Sequence, residues 1–578
     1  MDKLLAYRYL LVLFFLLSYS CFAAEAPLIT INGVDDELRT NILSHLRIGG
    51  ESCDTEMGRL LRLQNQVRTN TERAANALGY YKSTISLNFG TNETCWSLQI
   101  DIDPGEPVTI QQLSIALNDE SADIFRDIIN DSPLTLGQRL NHGQYEALKN
   151  ELSTSAVENG YFAARFLRSE IAIDLVGNSA NIDILFAPGP RYFFGEISMS
   201  NASPLADSFV QNLIQIRAGE PYSNESLMTL RNNLDQSQYF SQVAINPQLS
   251  QTQNLSVPLT INLNPRPQHA YSAGIGFTTD TGPRIRLGYA NRYQSRNGHR
   301  LDSDISLSKV RSQSNLNYTV PVQRNPLRES LQYGVGYIQE DNDTFESKRF
   351  ELETAYRNQS ENGWLRNTFI NYQRDSYIIN FDDNVSYLAI LGFNISKTLA
   401  DNLINPSRGW KIFAELSGAS DAVISDTSFV QTNINGKHVY SFNTRTRSLL
   451  RFDSGFTWID DKDELPVSLR FLAGGDQSLR GYKYQTLGPA DELGLVIGGK
   501  HMLTGTAEID YLFRPRWRVA LFTDYGNAFN EFDDITWKQS IGFGLRWQSP
   551  IGPLRFDLAH TLNDDEGFRI HITMGPDL

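Results

Sequence analysis

Eight histidines and one short charged segment are the parts of this 578-residue chain best equipped for chemistry. The histidines form no HExxH metal helix, and neither a GxSxG nucleophile turn nor a GxxxxGK[ST] phosphate loop is present. His560 and His571 lie nearest the end of the chain, but His560 shares the parity of Leu558 while His571 opposes Ile570, so one strand face does not carry both. The expectation is therefore no metal, no cofactor and no catalysis. The segment Gly474-Gly475-Asp476-Gln477-Ser478-Leu479-Arg480-Gly481-Tyr482 offers something different, because Glu508, Asp510, Asp524 and Asp557 fall on the inward parity of the strands that follow it. A guanidinium fork binds carboxylates in bidentate pairs, so the chemistry on offer is an ion-pair anchor rather than a reaction.

The remaining chemistry is covalent. Lys3 and Arg8 precede the apolar run from Tyr9 to Leu17, and small residues follow as far as Ala23, the pattern of a secretory signal over residues 1–23. Ser18-Tyr19-Ser20 before Cys21 makes a poor lipidation signal. Export leaves Cys53 and Cys95 in an oxidising compartment with no CxxC and no histidine partner nearby, which predicts a structural disulfide between them. Lys plus Arg number 51 against 66 Asp plus Glu, and a net charge of -15 argues against a general nucleic-acid binder.

The elements that position these groups divide in two. Gly79-Tyr80-Tyr81, Gly160-Tyr161-Phe162 and Gln238-Tyr239-Phe240 recur about eighty residues apart, each after a helical pattern and before an alternating one. Pro-rich breaks at 103–107, 187–190 and 264–267 keep the same period. The order strand, helix, helix, strand, strand predicts three small α+β modules at 24–106, 107–190 and 191–265, with the aromatic pairs as core and turn residues. The third module departs by carrying Gln238 where the others have glycine.

From residue 266 the helical period gives way to alternation, as in Leu331, Tyr333, Val335 and Tyr337, or Val519, Leu521, Thr523 and Tyr525. No apolar stretch of about 18 residues appears past residue 23, which excludes transmembrane helices and leaves a barrel open. Segments this numerous and this rich in Tyr and Phe favour an antiparallel transmembrane β-barrel of sixteen strands over a soluble sandwich; counting alone also admits fourteen or eighteen. The charged segment would follow a strand at Val467 to Ala473. The last strand keeps its alternation through Phe568, Ile570 and Ile572 and then runs into Gly575 and Pro576, which pair poorly. A weak seam is expected between that strand and the first, with Tyr271, Ala273, Ile275 and Phe277 facing Ile570, Ile572 and Gly575, and with Ala273 near Ile572.

Three motifs in order then resemble the BamA-like superfamily of POTRA-plus-barrel proteins. They are Leu479-Arg480-Gly481-Tyr482, similar to the inward-folded sixth-loop tip; Thr523-Asp524-Tyr525-Gly526, similar to a D-x-G strand; and Gly542-Phe543-Gly544-Leu545-Arg546-Trp547, similar to the penultimate hairpin. With three POTRA-like repeats before them, the likeness spans nearly the whole mature chain and is nearest the translocation-and-assembly-module branch. The resemblance implies an outer-membrane protein of a Gram-negative bacterium with its modules in the periplasm, and Arg480 paired with Asp524, with Glu508 nearby. It also implies an insertase or translocase for autotransporters and other outer-membrane proteins through a seam that opens toward lipid, with a possible part in phospholipid transport. The implied partners are a TamB-like periplasm-spanning protein docking on the first module, client proteins and outer-membrane lipids. A secretion pore for one dedicated exoprotein is the nearest rival, and a passive diffusion channel leaves the repeats without a task.

Overall fold

The computed structural model describes residues 27–91, 95–119, 123–200, 204–379, 382–549, 552–564 and 567–575. The expected leader and Pro576 lie outside them. In the first module the strands Leu28–Asn32, Thr84–Thr91 and Trp96–Asp103 make one sheet with the last in the centre, beside the helices Asp36–His45 and Met57–Ala77. The first helix starts where the Asp35 side chain accepts the Leu38 N–H, and it buries Leu38 and Ile42. The second buries Leu60, Val67, Ala74 and Ala75, and the alternation of the central strand brings Trp96, Leu98, Ile100 and Ile102 to the same core. Cys53 and Cys95 are joined by a disulfide 42 residues apart in sequence, which ties the segment between the helices to the start of the central strand.

The second and third modules repeat the plan. Strands Thr109–Leu117, Arg165–Asp174 and Ser179–Ala187 accompany helices Asp123–Asn130 and His142–Glu158; strands Phe193–Ser200, Phe240–Pro247 and Ser256–Pro265 accompany helices Asp207–Leu213 and Asn224–Gln236. In each sheet the third strand is again central.

The recurring aromatic pairs supply core residues as expected, with Tyr80 packed on the first module's core, Tyr161 on the second's and Phe240 fully buried, and several of them also act as joints between successive units. The Tyr80 hydroxyl accepts from Arg139 Nη1 at 2.9 Å and Tyr81 bonds His142 at 2.5 Å, both in the second module. Phe162 packs edge-on against Tyr192 and Tyr222, with centroids at 5.2 and 4.9 Å. Tyr239 donates to the Gly298 carbonyl at 2.6 Å, between the second and third barrel strands. Tyr161 faces inward, edge-on to the core ring of Phe125. The glycine before each pair adopts a left-handed turn, φ 87° at Gly79 and 80° at Gly160, where a Cβ would come within 2.7 Å of the Leu140 oxygen or 2.8 Å of the Tyr222 Cβ. Gln238 holds the same turn at φ 64° without glycine's freedom.

Sixteen strands from His269–Thr278 to Phe568–Met574 then form a closed antiparallel barrel in sequence order. Outward positions carry Ile275, Tyr333, Leu391 and Leu521, all exposed, while Gln332, Asp375 and Asp524 on the other parity are buried. Strand length is uneven: the first four strands have 9 to 11 residues, the sixth to eighth 15 to 19, and the last two 10 and 7.

Gln238→Gly is expected to stabilise the third module by about 1 kcal/mol, by removing the left-handed strain of a side-chain-bearing residue. Thermal unfolding of the two proteins under identical conditions checks this; a less stable variant would refute the account of the turn.

Candidate functional site

The eleventh and twelfth barrel strands, Thr446–Trp458 and His501–Arg514, are joined by the long connection 459–500, which folds back into the barrel. Its start corrects one expectation: Val467–Leu469 is a 3-10 turn after Pro466, and Phe471 and Ala473 form only isolated bridges, so no strand precedes the tip. Lacking a neighbouring strand to pair with, this segment hangs its backbone on the Gly499 and Leu487 carbonyls instead.

At the tip, Arg480 is buried and saturated. Its Nε and Nη2 grip the two Asp524 oxygens at 2.8 and 2.9 Å, its backbone N–H adds a third bond to Asp524 at 3.0 Å, and Nη1 reaches Glu508 and Asp557 at 3.1 Å each. The guanidinium also lies 3.4 Å over the Phe522 ring. Glu508 and Asp557 are in turn held by Arg546, at 2.8 and 2.5 Å. Arg480 from the loop and Arg546 from one strand thus interleave with three carboxylates from three other strands, all 7% exposed or less. Gly481, at φ 99°, lets the chain pass Thr561, and Leu479 and Tyr482 are fully buried; the Tyr482 hydroxyl donates to Asp564 at 2.9 Å.

The tip also reaches the seam. Among the described residues the ladder between the first and last strands holds a single residue pair, Thr278↔Thr573, whereas the last strand meets its other neighbour over seven pairs. Side chains supply much of the rest. Thr279 N–H donates to the Ile572 carbonyl at 3.1 Å, and the Thr279 hydroxyl accepts from Ile572 N–H at 3.0 Å while donating to Asp476 at 2.9 Å. Asp476 N–H donates to Asp280 at 2.6 Å, and His571 Nδ1 bonds the Asp476 carboxylate. Because His571 Nε2 accepts the Gly481 N–H at 2.9 Å, the ring proton sits on Nδ1. Asp280, Asp476 and His571 each bring a ligand-type atom within 4.8 Å of the others, but both His571 nitrogens are engaged, so the cluster works as a hydrogen-bonded latch.

Over residues 249–577 the sequence matches the Omp85 superfamily domain. The chain belongs to the Omp85 superfamily. Residues 28–104 match POTRA domain TamA domain 1 and residues 192–266 a POTRA-type surface antigen variable number repeat. Among curated relatives, the outer membrane protein assembly factor BamA of Nitratidesulfovibrio vulgaris is 25% identical over 65% of this chain and 49% of that protein. BamA of Neisseria meningitidis serogroup B is 21% identical over 75% of this chain and 63% of its own length, so the chain spans about half to two thirds of these relatives. The crystal structure of BamA from Haemophilus ducreyi lacking POTRA domains 1–3 superposes with a TM-score of 0.65 at 17% identity, covering 81% of this chain and 99% of that one, a likeness of fold.

In this Omp85 barrel Arg480 meets Asp524 and Glu508 as expected, whereas its neighbours in the motif go elsewhere: Leu479 into a small apolar cluster with Ala473 and Leu487, Gly481 to His571 and Tyr482 to Asp564. The expected seam needs two corrections. Gly575 lies beyond the last strand and donates to Pro553 at 3.1 Å, on the side away from the first strand. Ala273 does not neighbour Ile572, because the register places Thr278, five residues later, opposite Thr573. Tyr271, Ala273, Ile275 and Phe277 therefore have no seam partner among the described residues. Sequence reading missed Asp280, Asp476, His571 and Arg546 as members of the site. The inward parity of Arg546 and His571 was visible, but Asp280 in a turn and Asp476 on the loop carry no parity, and nothing marked which partner each would meet.

Arg480→Glu is expected to expose the tip to trypsin at Lys483 and to lose about 3–5 kcal/mol of barrel stability, with partial recovery in the Arg480→Glu, Asp524→Arg double variant. Wild-type protease resistance in Arg480→Glu would defeat this assignment. A second expectation concerns pH. Burial, and then the charge of Asp476, push the Asp280 carboxyl in the outer turn up to about 8, against a smaller opposing pull from Arg569, with His571 on the far side of Asp476. The latched state therefore holds a proton that a free aspartate, titrating near 4, has released. Closure is strongest below about pH 4, weakens as pH rises through the interval from about 4 to about 8, and changes little above it. Tryptic nicking at Lys483 should quicken between pH 5.5 and 8.5 in the wild type relative to Asp280→Asn; parallel profiles would contradict the assignment.

Proposed function

We propose that this Omp85 protein is the outer-membrane subunit of a translocation and assembly module, of TamA type, and that it inserts or exports autotransporters and other outer-membrane proteins without chemical catalysis. The observation that carries the reading is the seam. A wall that closes through one ladder pair and a side-chain latch can open at a cost of a few kcal/mol, at about 1 kcal/mol per hydrogen bond, far below that of any neighbouring strand pair. Once open, the strand His269–Thr278 offers its backbone to the strand of a client by β-augmentation, which keeps the incoming backbone satisfied as it enters lipid.

Three modules, the first matching TamA domain 1, support the TamA assignment over BamA-type assembly. The first module leaves two strand edges open, Leu28–Asn32 and Thr84–Thr91, and one of them is where a TamB-like partner would dock. A part in moving phospholipid between the membranes belongs to the same reading.

Cysteines at Thr278 and Thr573 test it. The oxidised pair should leave a folded, heat-resistant barrel that inserts client proteins at least about tenfold more slowly, with recovery on reduction. Undiminished insertion by the cross-linked protein would remove the seam from the mechanism. Photo-crosslinking from Thr84–Thr91 that traps a dedicated exoprotein in place of a TamB-like protein would move the assignment to a secretion pore.

A further inference from the structure

The first barrel strand, His269–Thr278, has one free side. It pairs with the second strand, Gly282–Asn291, over ten residue pairs, while among the described residues its ladder with the last strand is Thr278↔Thr573 alone. From His269 to Phe277 that side has no ladder partner among them, and an added strand can supply one. On the lipid-facing parity Tyr271 and Ile275 are 80% and 85% exposed, so the apolar face of the edge is uncovered as well.

The other parity faces the lumen and carries Gly274 and Gly276, whose direct partners on the second strand are Arg286 and Arg284. Arg286 is held by Asp304, Nε to Oδ2 at 2.6 Å. Arg284 is not held: no hydrogen bond and no ion pair within 4.0 Å joins its guanidinium to a described residue. It borders a cavity of about 440 Å3 that Asp280 and Asp476 also line, but both of those carboxylates are engaged in the latch. A Cβ built at Gly276 would stand 3.7 Å from Arg284 Nη2 and 3.8 Å from its Nε. The guanidinium therefore lies over the first strand, on the way to the free edge.

Facing side chains on paired strands have Cβ atoms about 5 Å apart, so a Glu or Asp opposite Gly276 on an added strand brings its carboxylate to that fork. A lysine or arginine there would be repelled, and a neutral residue would leave the guanidinium in lumen water. An acid also suits the polar lumen face of a membrane strand, whose alternate residues would lie apolar beside Ile275 and Phe277. We infer that the free edge selects client strands bearing a carboxylate on the lumen-facing position opposite Gly276, between two apolar lipid-facing residues, and that Arg284 reads it. This rests on the seam being the entry for client strands, as proposed above.

The test uses the full-length protein in maltoside micelles with the photo-crosslinker p-benzoylphenylalanine at Ile275, on the free edge. Strand-length peptides alternate apolar residues with serine and carry one central Glu, Gln or Lys on the serine face. Crosslinking should half-saturate at a concentration about fivefold lower for the Glu peptide than for the Gln peptide, the size of one partly hydrated ion pair. Arg284→Gln should bring the two peptides level, and Arg284→Glu should make the Lys peptide the tightest. Neither substitution breaks an ion pair or hydrogen bond of the side chain, heat-resistant migration checks that each barrel is folded, and the wild-type comparison needs no variant. Equal half-saturation of the Glu and Gln peptides in the wild type, or a Glu preference retained in Arg284→Gln, would overturn the role of Arg284 and leave the seam as an entry for strands. No crosslink from Ile275 to any peptide would overturn both.

Discussion

One desolvated arginine organises the barrel interior. Arg480 arrives on a loop with no strand partners of its own, and a chain segment crossing a lumen has every reason to stay in water unless something fixes it. Asp524 fixes it with both oxygens and also accepts the backbone N–H of the same residue. The side chain and the main chain of the tip are thereby pinned to one carboxylate. Burying such a charge is tolerable only when it is closely matched, and Glu508, Asp557 and the face of Phe522 add to the match that Asp524 begins. The positive φ of Gly481 follows from the same demand, since the next residue must turn at once to bury Tyr482.

Fixing the tip places Asp476 four residues upstream, and Asp476 is where the loop meets the barrel's closure. The wall is completed there by Thr279, Asp280 and His571 bonding a loop residue, more than by a run of backbone ladder. The order of dependence is therefore unusual for a barrel: ion pair, then loop, then latch, then closed wall. Gly475 is a tight point in that order, because a Cβ there would stand 2.6 Å from the Asp280 carboxylate.

The modules and the barrel were legible in the sequence, because period-two and period-3.6 patterns are local signals; parity offered Arg480 four inward carboxylates, and only the resemblance to a known family singled out Asp524. The joints were half legible. The aromatic pairs announced a repeat, but whether Tyr81 faces its own core or His142 depends on how consecutive modules meet. The seam's register was not legible. Alternation fixes which residues face lipid and leaves the slide of one strand along another undetermined, so Ala273 and Thr278 were equally good candidates by parity-free counting and only Thr278 has a partner. The latch was hidden for a similar reason: Asp280 and His571 stand 291 residues apart in the chain, and only closure of the ring brings them together.

The uneven strand lengths bear on the lipid as well as on the protein. The ring is tallest around its eighth strand, with 19 residues, and lowest where it closes, between strands of 10 and 7. A bilayer meets a short apolar wall by thinning beside it. A wall of this shape would thin the bilayer against the closing strands relative to the opposite side, leaving the shortest hydrocarbon span at the place where the ring is joined.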